Sequence, residues 1–325
     1  MRQNERSPIV TVCVATFNQA SYLERCIDSI FAQDAVTGGS LNIEVIVGDD
    51  CSNDATGFVL EDLQRRYGTS LIVVRHESNI GPAFNYLSIL SRASGDYIAH
   101  LDGDDYWEHS KLGAQIEFLE RHPDTEAVCT NARVVNKDEV ACGIFTNVES
   151  RAIDLEYLTA SGNFLNHSSL LYRRTALATV RSLTPPFIDY AILLALVHRA
   201  PIGFIGQPLV CYRAGLPGSI QRLHGGQVQD LYRAALFASL PRIGRNAARR
   251  SAANYVAYRV VFALRGKAAR LDKATFTQLA VLAHTSRQSL AVFAAARVAV
   301  LAAKAFHAWG LRRLCGAPYV HHPRY

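Results

Sequence analysis

Four short apolar runs, each followed by a stretch with helical spacing, constrain this chain more than any other feature: residues 9–15, 43–47, 71–74 and 97–101. Runs of that length bounded by polar turns read as buried strands. Between them Leu23, Cys26, Ile27, Ile30 and Phe31 recur at helical spacing, with Ser21 placed to act as N-cap. Residues 55–67 predict a second helix ended by Gly68, and Pro82 suits the first turn of a third that runs to about residue 91. Strands alternating with helices predict an α/β fold, a mostly parallel sheet wrapped on both faces. Leu112, Ile116 and Leu119 supply the apolar face of the next helix, over 111–120.

The fourth run ends abruptly in Asp102, Gly103, Asp104 and Asp105. Open α/β sheets bind their ligands at this end of the strand. Asp102 and Asp104, with a flexible glycine between them, can both turn toward a hard divalent cation, which takes oxygen ligands and shares them with substrate phosphates. An acidic helix start is the other reading, because Asp favours N-caps and first turns.

Beyond about residue 135 the alternation loosens. Short strands are expected at 127–130, 168–172 and 202–212, with a helix over 190–199, and this half is expected to form the acceptor side. From Gln227 strand signals vanish and Ala-rich helical segments take over, with breaks near Pro241, Gly266 and Thr285. The charge switches at the same point: residues 1–226 hold 18 Lys and Arg against 26 Asp and Glu, and residues 227–325 hold 16 against 2. Two units follow, 8–226 (divided into 8–107 and 108–226) and a basic helical region, 227–325.

Residues 289–309 are mostly Ala, Val, Leu and Phe, interrupted by Arg297 and Lys304 on one helical face. A crossing helix needs about twenty predominantly apolar residues, so an amphipathic helix lying in a membrane interface fits better. Arg245, Arg249, Arg250, Arg312 and Arg313 would add attraction to anionic lipid or a lipid-linked phosphate. The alternative is that the Ala faces pack on the rest of the chain or on a second copy in a homodimer. No nucleic-acid-binding module is recognisable, so no nucleic acid partner is expected.

Seven scattered Cys without a Cys-x-x-Cys pair argue against a disulfide framework and a structural zinc site. A hydrophobic content of 49% excludes a disordered chain. No signal peptide is visible, which predicts a cytoplasmic protein, or a peripheral one on the cytoplasmic face of the inner membrane.

Four segments stand at expected strand ends: Ala15-Thr16-Phe17-Asn18; Asp49-Asp50-Cys51-Ser52; Asn79-Ile80-Gly81 through Asn85; and Asp102-Gly103-Asp104-Asp105. In order and spacing they resemble family 2 glycosyltransferases of the GT-A fold, with Ala15 in place of the family's Pro and Cys51 in place of its Gly. The resemblance implies a nucleotide site formed by Ala15, Thr16, Asn18, Asp50, Asn79, Gly81, Asn85 and Asp102. In it Asp50 accepts from the base, Asp102 lies against the ribose, and Asp104, with Asp102, binds a divalent metal, Mn or Mg. Asp54 reads as a helix cap. The implied reaction is inverting transfer from a nucleoside-diphosphate sugar, UDP-linked in the favoured case. The acceptor would be a saccharide or a polyprenyl-diphosphate-linked saccharide in surface polysaccharide assembly.

The family's catalytic base commonly sits in a Glu-Asp pair opening a helix. Here Ile188-Asp189 occupies that place, so Asp189 is the candidate base and an N-cap the alternative. Asp189 is the only acidic residue between Glu156 and Asp230. The family's closing Tyr-Arg-x-His becomes Tyr212-Arg213-Ala214-Gly215, leaving His224 as a substitute metal ligand or a solvated loop residue. The competing class is a nucleotide-sugar-binding or scaffold protein of the same fold that has lost turnover.

Overall fold

The computed structural model describes residues 7–216, 225–264, 271–315 and 319–322. The first half runs β1 (Ile9–Thr16), α1 (Ala20–Phe31), α2 (Asp34–Thr37), β2 (Asn42–Asp49), α3 (Thr56–Tyr67), β3 (Leu71–Arg75), α4 (Pro82–Leu90), β4 (Tyr97–Asp102), β5 (Tyr106–Trp107) and α5 (Lys111–Arg121). Then come β6 (Ala127–Val135), β7 (Ala141–Thr146), β8 (Arg151–Ile153), α6 (Leu155–Ser161), β9 (Leu171–Arg173), α7 (Leu177–Arg181), α8 (Asp189–Val197) and β10 (Ile202–Arg213). The C-terminal part holds α9 (Gly225–Ser239), α10 (Arg245–Leu264), α11 (Lys273–Leu282), α12 (Arg287–Cys315) and β11 (Tyr319–His322).

The strands form one sheet in the order β11-β7-β6-β9-β4-β1-β2-β3, with β10 beside β6, and β5 and β8 paired to β10. Pairing is parallel from β4 through β1 and β2 to β3, as the alternation requires. On the other side of β4 the sheet turns mixed, with antiparallel β9 against β4 and β6, and parallel β10 against β6.

Strand side chains alternate between two cores. Val10, Val12 and Val14 of β1 and Val45 and Val47 of β2 face Leu23, Cys26, Ile27 and Ile30 of α1, and Leu60 and Leu63 of α3. Cys13, Ile46 and Ile98 point the other way, into a core built from α4, α8 and the C-terminal helices. A fully buried aliphatic side chain contributes about 1.5–3 kcal/mol, so Leu23, Ile27 and Ile30 go far toward holding α1 on the sheet. Leu236, Ala248, Leu279 and Leu290 belong to the same core as Phe164, Tyr190 and Leu193. Tyr232 of α9 stacks on Tyr190 at 4.5 Å and lies parallel to Tyr255 of α10 at 6.2 Å. The Ala faces of the basic region thus pack on the α8 side of the sheet.

Local details differ from the sequence reading. Ser21 lies inside α1, whose N-cap position is Gln19. The helix's first amides are satisfied from a neighbouring segment instead: Gln19 N donates to Thr56 Oγ1 and Ala20 N to Asp54 Oδ2. β6 runs to Val135 because buried Asn131 stays in the ladder, donating to Thr146 O at 2.8 Å and accepting from Ala132 N. The expected breaks near Pro241 and Thr285 fall between helices; the one near Gly266 lies outside the described residues.

Candidate active site

Register brings the motifs together. Ala15 of β1 pairs with Gly48 and Asp102, Thr16 with Asp49, and Asp49 with Arg75, so the carboxyl ends of β1, β2, β3 and β4 form one edge.

Along that edge the polar side chains bind loop to loop. Asn18 adopts a left-handed φ of 54°, which Asn tolerates. Its N–H donates to Ser52 Oγ at 2.8 Å and its Oδ1 accepts from Asn53 N at 2.8 Å, locking the β1–α1 loop to the β2–α3 loop. Thr16 is buried and donates to Gln19 Oε1 at 2.9 Å. Cys51, where the family has Gly, keeps the left-handed conformation at φ 63°. Buried Asp50 accepts from Ile80 N at 2.7 Å and Gly81 N at 3.0 Å, which fixes the loop before α4. Gly81 has φ 88°, which favours glycine. Asn79 is exposed. Asn85 is buried; it donates to Gly48 O at 2.8 Å and its Oδ1 faces His76 Nε2 at 3.1 Å. Asp54 accepts from Ala20 N and Thr56 N at the starts of α1 and α3, as a cap for two helices.

The three carboxylates after β4 have distinct surroundings. Asp102 is 44% accessible at its side chain, with Oδ1 3.0 Å from His100 Nε2. Partial burial disfavours its charge, but His100, His167 and Ser168 outweigh this and hold the carboxyl down at about 2. Asp105 is buried and accepts from Ser168 Oγ at 2.6 Å and Arg213 N at 2.9 Å. It therefore ties β10 and the turn before β9 to the acidic turn and starts no helix, since α5 opens only at Lys111. Burial, and then neighbouring negative charge, push both Asp104 and Asp105 up from the ordinary carboxylate range. The nearby guanidinium of Arg213 is already committed: it donates to Asp104 O and Glu139 and lies over the rings of Tyr22 and Tyr106. An acceptor-only cluster with self-repulsion of this kind fits a hard divalent cation, with Asp104 and Asp102 as its oxygen donors.

Asp189 is the first residue of α8, and Ile188 is the N-cap. Its carboxylate accepts from Asn163 Nδ2 at 3.0 Å and from Tyr190 N at 2.8 Å. Burial raises its pKa above the ordinary value, while the bonds from Asn163 and Tyr190 N act the other way. His224 lies outside the described residues.

Four participants escaped the sequence reading: His100, Asn163, His167 and Ser168. His100 stands two residues before Asp102, and period-two alternation puts both on one strand face; that signal was available. His167 stacks on His100 at 3.7 Å, with Tyr86 edge-on to both. It reaches the cleft only through the antiparallel β9 pairing, which the apolar pattern does not specify.

The glycosyl transferase family 2 model matches residues 11–180. An uncharacterised protein of Mycobacterium tuberculosis is 32% identical over 167 residues, covering 51% of this chain and 47% of the relative, so the chain spans about half the length of such curated relatives. The UDP-Glc:alpha-D-GlcNAc-diphosphoundecaprenol beta-1,3-glucosyltransferase WfaP of Escherichia coli is 27% identical over 232 residues, 68% of this chain and 79% of its own. The fold is similar to that of residues 1–349 of TarS of S. aureus, solved with UDP-GlcNAc, with a TM-score of 0.64 at 18% identity, covering 84% of this chain and 79% of that fragment. A mannosyltransferase of Pyrobaculum calidifontis, solved with GDP-Man and Mn2+, gives a TM-score of 0.51 at 20% identity, covering 95% and 81%. With the family model covering more than half of its length and the family's motifs aligned at one sheet edge, the chain belongs to glycosyl transferase family 2.

Proposed function

We propose that the chain is an inverting glycosyltransferase that moves one sugar from a nucleoside-diphosphate donor to a saccharide acceptor in surface polysaccharide assembly. The carrying observation is the register that aligns Thr16, Asp49 and Asp102 at one sheet edge; the partly buried Asp189, held by Asn163 at the start of α8, supports the reading as the candidate base. In this reading the nucleotide lies along the loops after β1 and β2, where Ala15, Thr16, Asn18, Asp50, Asn79, Gly81 and Asn85 form or brace its pocket, and the ribose meets Asp102. Asp50 braces the loop of Ile80 and Gly81 with both oxygens, and each oxygen keeps a further lone pair for a base N–H. Asp104 and Asp102 fit a divalent ion, Mn or Mg, which when bound offsets charge on the leaving diphosphate.

Asp189 supplies the base. Its carboxylate takes the proton of the acceptor hydroxyl as that oxygen bonds to the anomeric carbon. The bond from that carbon to the diphosphate oxygen breaks, and its electron pair leaves with the nucleoside diphosphate. Asn163 and the Tyr190 amide hold the carboxylate in one orientation.

The family relatives support an acceptor that is either a free saccharide or one carried on a polyprenyl diphosphate; the donor favoured is UDP-linked. Among the described residues no helix is long and apolar enough to cross a membrane. The exposed Val292, Phe293 and Val300 of α12, together with the basic excess of residues 227–325, support contact of this region with an anionic membrane surface. Liposome flotation tests that contact: retention with anionic but not neutral vesicles is expected, and equal behaviour in both refutes it. For the donor, calorimetric titration of UDP, GDP and their sugars with Mn or Mg is the test. Metal-dependent binding of one nucleotide class supports the proposal, and no binding of any overturns it.

A further inference from the structure

A second group of ligating side chains borders the acidic turn. One donor atom each from His100 of β4, Asp102 at its end and His167 in the turn before β9 lies within 4.8 Å of the other two. His100 Nε2 and Asp102 Oδ1 are already 3.0 Å apart. His167 Nε2 is buried without a hydrogen-bond partner, although its ring as a whole is only half-buried, which leaves a way in from the cleft. An unpaired buried polar atom costs about 1–3 kcal/mol. If only packing against Tyr86 were needed there, an apolar ring would serve without that penalty.

We propose that His100, Asp102 and His167 form a site for a borderline transition-metal ion, Zn2+ or Co2+, distinct in donor chemistry from the hard-cation site at Asp104. Two imidazoles and one carboxylate match the preferences of Zn2+ and Co2+, whereas Mg2+ prefers oxygen donors and keeps several waters. Metal–ligand bonds of about 2.0–2.2 Å set tetrahedral donors about 3.4 Å apart. His100 Nε2 and Asp102 Oδ1, 3.0 Å apart, need to separate by only about 0.4 Å, and His167, the partly exposed member, closes the remainder by side-chain rotation. Three protein ligands leave a fourth position for water.

Occupancy has a consequence for turnover that rests on the proposed contact of Asp102 with the donor. The ion takes that carboxylate, so Zn2+ acts as an inhibitor competitive with donor and, because Asp102 also serves the hard-cation site, with Mg2+ as well. Metal binding itself does not depend on that contact, so the two ideas fail separately.

The test titrates the metal-free full chain with Co2+ alone, followed by calorimetry and visible absorption. One Co2+ per chain is expected, with a nitrogen and oxygen ligand-field band and no thiolate charge transfer from Cys51 or Cys142. Binding persists in D104A and in H321A/H322A, and weakens at least about tenfold in H167Q and in H100Q. X-ray absorption of the wild-type Zn2+ complex needs no variant and is expected to show two imidazoles. Binding unchanged in both histidine variants, a thiolate spectrum, or a zinc shell without imidazole overturns the site.

Discussion

Replacing Asp189 with Asn separates chemistry from stability in one side chain. Asp189 Oδ1 accepts from Tyr190 N at 2.8 Å and Oδ2 from Asn163 Nδ2 at 3.0 Å. The amide keeps the first bond but sets its own NH2 against that of Asn163, removing a charge-assisted bond worth about 1.5–3 kcal/mol. It also ends the burial of a charge, so the net change in stability stays within about 2 kcal/mol. Turnover behaves otherwise, because general-base catalysis contributes a factor of about 10²–10⁴, or about 3–5 kcal/mol of barrier.

The pH dependence has a defined sign. Burial raises the folded pKa of Asp189, so between the ordinary carboxylate value and the folded value the native chain holds the extra proton. Stability from this residue is highest below that window and falls as pH rises through it. Activity requires the ionised form and rises through the same folded pKa. In D189N the share of both effects that belongs to this residue vanishes, leaving the contributions of Asp104 and Asp105, whose values burial also raises. Nucleoside diphosphate release and urea unfolding, each followed from acid to neutral pH, measure the two. D189N turnover within about tenfold of wild type at neutral pH refutes the base assignment.

Three further substitutions probe the scaffold. Arg213, 2% accessible at its side chain, holds the Asp104 carbonyl and Glu139 together; R213M should lower unfolding free energy by about 2–3 kcal/mol in denaturant titration, with R213K recovering only part of it. Lys111 is fully buried, with Nζ 2.6 Å from Gln115 Oε1 and 3.8 Å from the Trp107 ring centroid, and burial holds its pKa well below the ordinary value. Because the unfolded chain binds that proton more readily, wild-type stability should rise with pH from neutral toward the ordinary lysine value, and K111M should flatten the rise in urea melts. A Cβ on Gly48 would sit 2.1 Å from Asn85 Oδ1 and 2.7 Å from Ile89 Cγ2; G48A should destabilise by about 1–3 kcal/mol and lower the thermal midpoint.

The parallel half was readable because its strands are continuous apolar runs and its helices carry one apolar face. Val10, Val12 and Val14 could hardly lie elsewhere than in a core. The mixed half was less legible: β6 continues through Asn131, and β7 and β8 carry exposed, weakly apolar residues that no periodicity marks. In the site, Asp104 and Asp189 are candidates drawn from motif and from isolation in sequence. His167 and Asn163 are not among them, since their places follow from strand pairing across the sheet. Asn85, expected in the nucleotide site, is a buried tie between α4 and β2. Cys51 shows that the left-handed turn outlasts the glycine that usually makes it.

The most direct measurement is sugar transfer from a single nucleotide-sugar donor by the wild-type chain, D104A and D189A, each with and without Mn or Mg. Transfer by the wild type only when the ion is present, and its loss in both variants while each remains folded, is the predicted result. Equal product from all three chains would contradict the assignment of this cleft as a metal-assisted glycosyl transfer site.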